Sequence, residues 1–224
     1  MRTNESISSC RLKDHIRIVC IADTHELHRK VDVPDGDLLI HAGDFTQYSK
    51  SAAAIGDFNE WLGELPHLQK LLIPGNHEFF LEADPNQRGS ISNATILIND
   101  SIEMLGLKIW GSPTTPLYGG AFGLSSEPDR VRLYSEIPAE ADILITHSPP
   151  FGILDRPAGS SEHQGCPALL DRVRELKPKL HVFGHVHGSR GTFSTDETLF
   201  VNAALLGIDG DIDANPIVIQ ILRI

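Results

Sequence analysis

The sequence predicts an α/β fold in which two β-sheets face each other with helices outside. Strand–helix–strand alternation appears in the first third of the chain and recurs in the second half, the pattern of βαβ units with parallel pairing. Between them lies a run of short strands without a helix.

Residues 16–22 form the first strand candidate, rich in Ile and Val, and residues 38–42 and 71–73 supply the next two. Between the last pair, residues 52–65 have helical spacing, with Ile55, Phe58, Trp61 and Leu62 on one face, and Pro66 ends the helix. Residues 95–98, 102–104 and 108–110 read as short strands, with Leu105-Gly106-Leu107 a tight connection between the last two. A long loop rich in Gly, Pro and Ser spans 112–128, and Pro128 begins a short helix over 127–135. Residues 143–146 form a strand, 166–176 a helix bounded by Pro167 and Pro178, and 180–183 a strand. Strands over 191–193, 199–202 and 217–221 close the chain. Residues 1–14 are expected as a loosely ordered tail and 15–224 as one domain.

With 224 residues, 41% hydrophobic and 22% charged, the chain has the composition of a globular protein. Its net charge of −11 opposes docking on a nucleic-acid backbone, and no basic stripe relieves that repulsion. No segment reaches the ~20 apolar residues of a membrane span, and the N-terminus lacks the apolar stretch of a signal peptide. Cys10, Cys20 and Cys166 are too few, and odd in number, for a disulfide framework, so a cytoplasmic setting is expected. The expected partner is a small molecule, neither a nucleic-acid polymer nor a membrane.

Five short signatures recur in one order: Asp23-Thr24-His25, Gly43-Asp44, Gly75-Asn76-His77-Glu78, Thr146-His147 and Gly184-His185-Val186-His187. Asp23, Asp44, Asn76, His147 and His185 fall within a few residues of a strand's C-terminal end, where open α/β sheets bind ligands. Hard oxygen donors (Asp23, Asp44, Asn76) and imidazoles (His25, His147, His185, His187) favour Mn, Fe, Zn, Co or Mg over soft-ligand metals. Together they suffice for two ions sharing one carboxylate. Two such ions held by only two carboxylates keep excess positive charge, which binds phosphate and acidifies a water. The chemistry indicated is metal-assisted hydrolysis of a phosphate ester.

In this order the signatures resemble the calcineurin-like metallophosphoesterases, from Asp23 to about Ala204, with Asn202-Ala203-Ala204 similar to the family's closing segment. The resemblance implies a four-layer α-β-β-α sandwich of two mixed sheets. It implies Asp23, His25 and His187 on one metal, Asn76, His147 and His185 on a second, and Asp44 bridging both. It puts His77 beside the leaving group as general acid or hydrogen-bond donor, with a metal-bridging hydroxide attacking phosphorus in line.

A narrower likeness rests on His147-Ser148-Pro149-Pro150, Gly152-Ile153-Leu154-Asp155, Gly165-Cys166, Gly43-Asp44-Phe45-Thr46 and the run from Leu180 to His187. These resemble the small metallophosphoesterase-domain, cyclic-nucleotide phosphodiesterase-like branch. That likeness implies two divalent ions, manganese favoured over Fe, Zn, Co, Ni or Mg, and a small phosphodiester substrate, cyclic nucleotides included.

Protein phosphatases of the superfamily carry an acidic residue three positions after the bridging Asp, then a phosphate-binding Arg. Here Gln47 and Tyr48 stand in those places. The residue that orients His77 is therefore unassigned, and the reading moves from phosphatase toward a small-diester phosphodiesterase. A phosphomonoesterase and a metal-binding interaction module without catalysis are the alternatives. Glu78 is expected as a structural acceptor or a helix-start residue, His41 beside the site, and His181 buried and hydrogen-bonded. His28 reaches the substrate or lies at the surface, His163 is considered for the pocket border, and His15 and His67 are placed on the surface. Substrate choice is assigned to residues 112–128 and 151–165. Asp209, Asp211 and Asp213 read as a solvated acidic loop, because Gln220 stands where a calcium loop needs Glu.

Overall fold

The computed structural model describes residues 15–48, 52–116, 119–207 and 209–223. The expected tail, residues 1–14, lies outside them, as do residues 117 and 118 of the long loop. The first half runs β1 (His15–Ile21), β2 (Leu38–His41), α1 (Ala52–Glu64), β3 (Gln69–Leu72), α2 (Phe79–Ala83), β4 (Thr95–Ile96), β5 (Asp100–Met104) and β6 (Leu107–Ser112). The second runs α3 (Glu127–Ser135), β7 (Ile143–Thr146), α4 (Pro167–Leu176), β8 (Leu180–Phe183), β9 (Gly191–Ser194), β10 (Leu199–Asn202) and β11 (Ile217–Leu222).

One sheet has the order β11-β1-β2-β3-β4 and the other β5-β6-β7-β8-β10-β9. The inner strands of both are parallel, while β11, β5 and β9 pair antiparallel at or next to the edges. Alternation along β1 sorts its side chains. Ile16, Ile18 and Cys20 face the second sheet, where Ile109, Ile143, Ile145, Val182 and Val201 meet them. Val19 and Ile21 point the other way, onto Ile55, Phe58, Trp61 and Leu62 of α1. The far face of the second sheet packs Trp110, Leu144 and Phe183 against Tyr134 of α3 and Leu169 and Val173 of α4. The result is the expected four-layer α-β-β-α sandwich. Every residue of β2, β7 and β8 is buried, which accounts for their reading as unbroken apolar runs. Each fully buried Leu, Ile or Val in these layers contributes about 1.5–3 kcal/mol.

Local chemistry fixes the ends. Ser126 caps α3 by accepting a hydrogen bond from the Asp129 amide, with Pro128 in the first turn. Pro167 opens α4, and Lys177 ends it in the left-handed region at φ 53° before Pro178. Leu105 (φ 56°) and Gly106 (φ 79°) turn β5 into β6, as two-residue hairpins require. Among the described residues no helix is long and apolar enough to cross a membrane.

Two histidine placements differ from expectation. His67 is buried, in the connection between α1 and β3. His28 is buried as well, hydrogen-bonded to Asp57 (2.9 Å) and packed on Phe58 and Trp61. It faces α1 rather than a substrate. The pentapeptide helix α2 is a further difference, being too short for a periodicity to show.

Candidate metal centre

The two sheets meet at one end. Beyond β1 and β10, Ala22 pairs with Ala204, and the Leu205 amide donates to the Ala22 carbonyl. Beyond β1 and β2, the amides of Asp23, His25 and Glu26 donate to the carbonyls of Gly43, Asp44 and Phe45. The segments carrying the signatures are thus laced together past the strand ends. Asp23, His25, Asp44 and His185 all have positive φ, from 42° to 70°. Such strain in non-glycine residues clusters at functional sites, where the surroundings hold it.

Three donor groups come together. Asp23, His25 and His187 have ligand atoms within 4.8 Å of one another, as do Asp44, His147 and His185. A third set, His25, Asp44 and His77, satisfies the same distance. Asp44 joins the groups through one oxygen: its Oδ2 lies 3.2 Å from His147 Nε2 and 3.9 Å from His25 Nε2. Its other oxygen is occupied, accepting from the His77 amide at 2.9 Å. Asn76 joins the second group, with Oδ1 2.9 Å from His147 Nε2. All seven residues expected on metal therefore converge on one place.

The donor chemistry fits cations. His147 Nδ1 lies 2.9 Å from the Ala42 carbonyl, which only accepts, so Nδ1 carries the proton. In the neutral ring the Nε2 lone pair then faces the Asp44 and Asn76 oxygens, three acceptors aimed at one point with no donor among them. Burial would lower this imidazole, but the Asp44 charge and hydrogen bond outweigh it and raise it to about 9. A proton on Nε2 or a metal resolves the clash, and a divalent ion satisfies all three acceptors at once. His25 Nε2 is buried with no hydrogen-bond partner, and burial holds that ring, like His185 at about 4, in the neutral ligating form. Burial would raise the Asp44 and Asp23 carboxyls, yet His147 beside Asp44 and His187 beside Asp23 hold both below the usual range.

A second layer positions these groups. The Asp23 carboxylate accepts from the His185 amide (2.9 Å). His41 accepts from the Gly43 amide on Nδ1, so its Nε2 donates to Thr24 (3.1 Å). His181 donates to Thr146 (2.8 Å). Both are buried and neutral, pushed down to about 3 by burial, in line with the expectation of His41 beside the site and of His181 buried and hydrogen-bonded. Glu78 accepts from the amides of Asp44 and Thr46 and from the Thr46 hydroxyl and the Gly75 amide. It is the structural acceptor anticipated, with burial and Asp44 pushing it up to about 7 against four donors that favour the carboxylate.

Glycine is required where backbone passes close. A methyl on Gly184 would strike the Asp23 carboxylate. One on Gly75 would press on Asp44, 2.6 Å from its amide nitrogen, and on His147 Cε1 at 2.7 Å. Gly75→Ala is expected to destabilise the protein by about 1–3 kcal/mol, read by urea denaturation, and to weaken metal binding in titration. Unchanged affinity would show that Asp44 does not need its present position.

His77 stands at the rim. Its Nδ1 lies 3.2 Å from the Gln47 carbonyl, which fixes the proton on Nδ1 and leaves Nε2 facing the cavity, 3.8 Å from Asp44 Oδ2. The orienting partner that the sequence leaves unassigned is thus a main-chain oxygen, at the very position where the protein phosphatases carry a carboxylate. Glu26 in turn holds the Gln47 amide at 3.2 Å. Tyr48, 60% exposed, stacks on the imidazole with ring centroids 4.4 Å apart. The cavity, of about 270 Å³, is bounded by Gln47, Tyr48, Asn76, His77 and Leu206 around the metal-facing groups. His163 lies away from it, bonded to Asp155 at 2.6 Å. Of the long loop, Gly120 packs on Asn76, and the Ala121 amide donates to the Asn76 carbonyl.

A four-layer sandwich with this donor set at its joined strand ends defines a metal-dependent phosphoester hydrolase. The chain belongs to the calcineurin-like phosphoesterases, whose family pattern matches residues 16–189. It is 37% identical to a UPF0046 protein of Caenorhabditis elegans, over 92% of this chain and 76% of that one. It is 34% identical to metallophosphoesterase domain-containing protein 1 of Homo sapiens, over 92% and 71% of the two chains. The fold is shared with TT1561 of Thermus thermophilus, at a TM-score of 0.57 and 12% identity over 84% of this chain and 88% of that one.

Proposed function

We propose that the protein is a dinuclear metal-dependent phosphodiesterase acting on small diesters, cyclic nucleotides among them, with manganese the favoured ion and the cytoplasm its setting. The observation that carries this reading is the single Asp44 oxygen placed between His147 and His25, with two separate ligand groups on either side. Asp23, His25 and His187 would hold one ion, Asn76, His147 and His185 the other, and Asp44 both. Bound there, two divalent ions supply Lewis-acid polarisation of the phosphate and activation of the attacking water. The Gln47 carbonyl holds the His77 ring through Nδ1–H, and the doubly protonated imidazolium would give its Nε2 proton to the leaving oxygen, returning to the neutral Nδ1–H form.

Diester preference is supported by what surrounds His77. Among the described residues lining the cavity there is no Lys or Arg to pair with the extra charge of a monoester. Tyr48 offers an aromatic face instead. Tyr48→Arg is expected to raise the monoester-to-diester ratio of kcat/KM by about 10-fold, the value of one charge-assisted hydrogen bond. A ratio that does not move would remove this residue from substrate choice.

The proposal is tested by stripping metal with a chelator, then restoring Mn²⁺ and assaying an aryl phosphodiester beside the corresponding monoester. Turnover should return with two ions bound per chain. No turnover with any of Mn, Fe, Co, Ni or Zn would overturn hydrolysis, and a single ion would overturn the dinuclear reading. Metal should also raise the melting temperature, since it binds only the folded arrangement.

A further inference from the structure

A second cavity of about 400 Å³ opens beside the first and shares His185, His187 and Leu206 with it. His77 lines only the first. Its remaining lining includes Pro157, Ala158, Gln164 and Gly207. Among its described lining residues none is Lys, Arg, Asp or Glu. The Gln164 side chain is the neutral hydrogen-bonding group on the wall it forms with Pro157 and Ala158.

This wall is built, not draped. Asp155, 1% exposed, ties the ends of its segment by accepting from the Gly152 amide (2.8 Å) and the Gly165 amide (3.0 Å). Its other oxygen takes His163 Nδ1, and His163 Nε2 accepts from the Arg156 guanidinium at 2.8 Å. The nearest cation of the segment is therefore turned away into its own network. The Asn202 amide clamps the Leu154 and Val186 carbonyls at 3.0 and 2.9 Å, joining this segment to the one carrying His185 and His187. Ser189 receives the Arg156 amide at 2.9 Å. Gly188 passes so close to Ala158 that a methyl group would strike its amide.

We infer that this second cavity receives the non-leaving arm of the diester, a neutral, ring-bearing group of nucleoside size. The inference rests on the diester reading above and adds where the second ester arm lies. An acyclic phosphodiester at the metal centre has two separate arms, whereas a cyclic nucleotide carries both ester oxygens on one nucleoside, and the arm that leaves must approach His77. The other points toward the open volume beside His185 and His187. That volume falls in the range of small-ligand sites, and beyond His185 and His187 its lining is apolar or glycine with one side-chain amide, that of Gln164. A further phosphate on this arm would meet no Lys or Arg among the described lining residues, and Arg190, close in sequence to Gly188 of the lining, is already engaged with the Asp213 carboxylate that lies against Gly207. The arm is thus a neutral terminus, which separates small diesters from oligonucleotides.

The test compares diphenyl phosphate with methyl phenyl phosphate, by calorimetric binding to the Mn-reconstituted full chain. Their phosphates are alike, and only the former fills both cavities. Wild type should prefer diphenyl phosphate by about 10-fold or more, and Ala158→Trp or Gln164→Trp should each reduce that preference below about 2-fold by filling the volume. Both positions are exposed, and circular dichroism checks folding of each variant. No preference in wild type, or one that survives in either folded variant, overturns the assignment. Turnover of bis(4-nitrophenyl) phosphate by wild type separates the two readings. A filling-sensitive preference without turnover keeps the cavity assignment and discards the reaction. Turnover without the preference keeps the reaction and discards the assignment.

Discussion

Replacing His77 with alanine is expected to slow hydrolysis of a diester with an alkoxide leaving group by about 10²–10⁴-fold, the span of general acid catalysis, with two metal ions still bound. The geometry makes the variant informative. The His77 amide, not its ring, holds Asp44 Oδ1, so alanine leaves the shared carboxylate aimed as before. What is lost is a ring fixed by the Gln47 carbonyl and by Tyr48, with Nε2 directed into the cavity. An acid matters most when the departing oxygen is basic, so the loss should shrink for a 4-nitrophenolate leaving group. An equal loss for both leaving groups would make His77 a positioning residue. Because His77 also lies within ligand distance of His25 and Asp44, metal content is measured beside the rate. A fall to one ion per chain would place His77 among the ligands and overturn its role as acid. Unchanged turnover with both ions bound would favour a binding module.

The parts of this site legible in the sequence are those carried by side chains at strand ends. β2, β7 and β8 are buried on both faces, so their apolar runs mark them, and Asp44, His147 and His185 follow within three residues. The partner of His77 is illegible for a physical reason: a carbonyl oxygen is present in every residue, and Gln47 supplies it through backbone position alone. Burial of His28 and His67 is equally hidden, because neither lies in a periodic segment and their cover comes from α1 and neighbouring loops. Substrate-facing walls show the same limit. Asp155 stands in a recognisable motif with Gly152, whose amide it accepts locally, yet its pairings with the Gly165 amide and His163 are set by the loop's path rather than by spacing.

Glu78→Ala is expected to cost about 3–5 kcal/mol of stability, the loss that follows when one side of a buried charged network is removed, read by urea denaturation in chelator. Glu78 accepts from three amides of two separate loops and from the Thr46 hydroxyl at 2.8 Å, which has only the His77 carbonyl, at 3.5 Å, as another acceptor. Without it, buried donors at Gly75, Asp44 and Thr46 have no partner, each worth about 1–3 kcal/mol when stranded. The individual losses do not add, since the loops relax and water enters once the carboxylate is gone. Thr46→Val provides the scale, removing only the hydroxyl donor at a cost of about 0.5–1.5 kcal/mol. In the double variant the Thr46 contribution should shrink, because its close acceptor is already missing and only the His77 carbonyl at 3.5 Å remains. Glu78→Gln keeps the volume but turns an NH₂ group toward amide donors, so it should recover only part of the stability. These loops carry Asp44 and Asn76, so metal affinity should fall in step with stability. A Glu78→Ala protein as stable as wild type would mean that water satisfies these donors unaided. The carboxylate would then be dispensable to the scaffold that aims Asp44 between the two ligand groups.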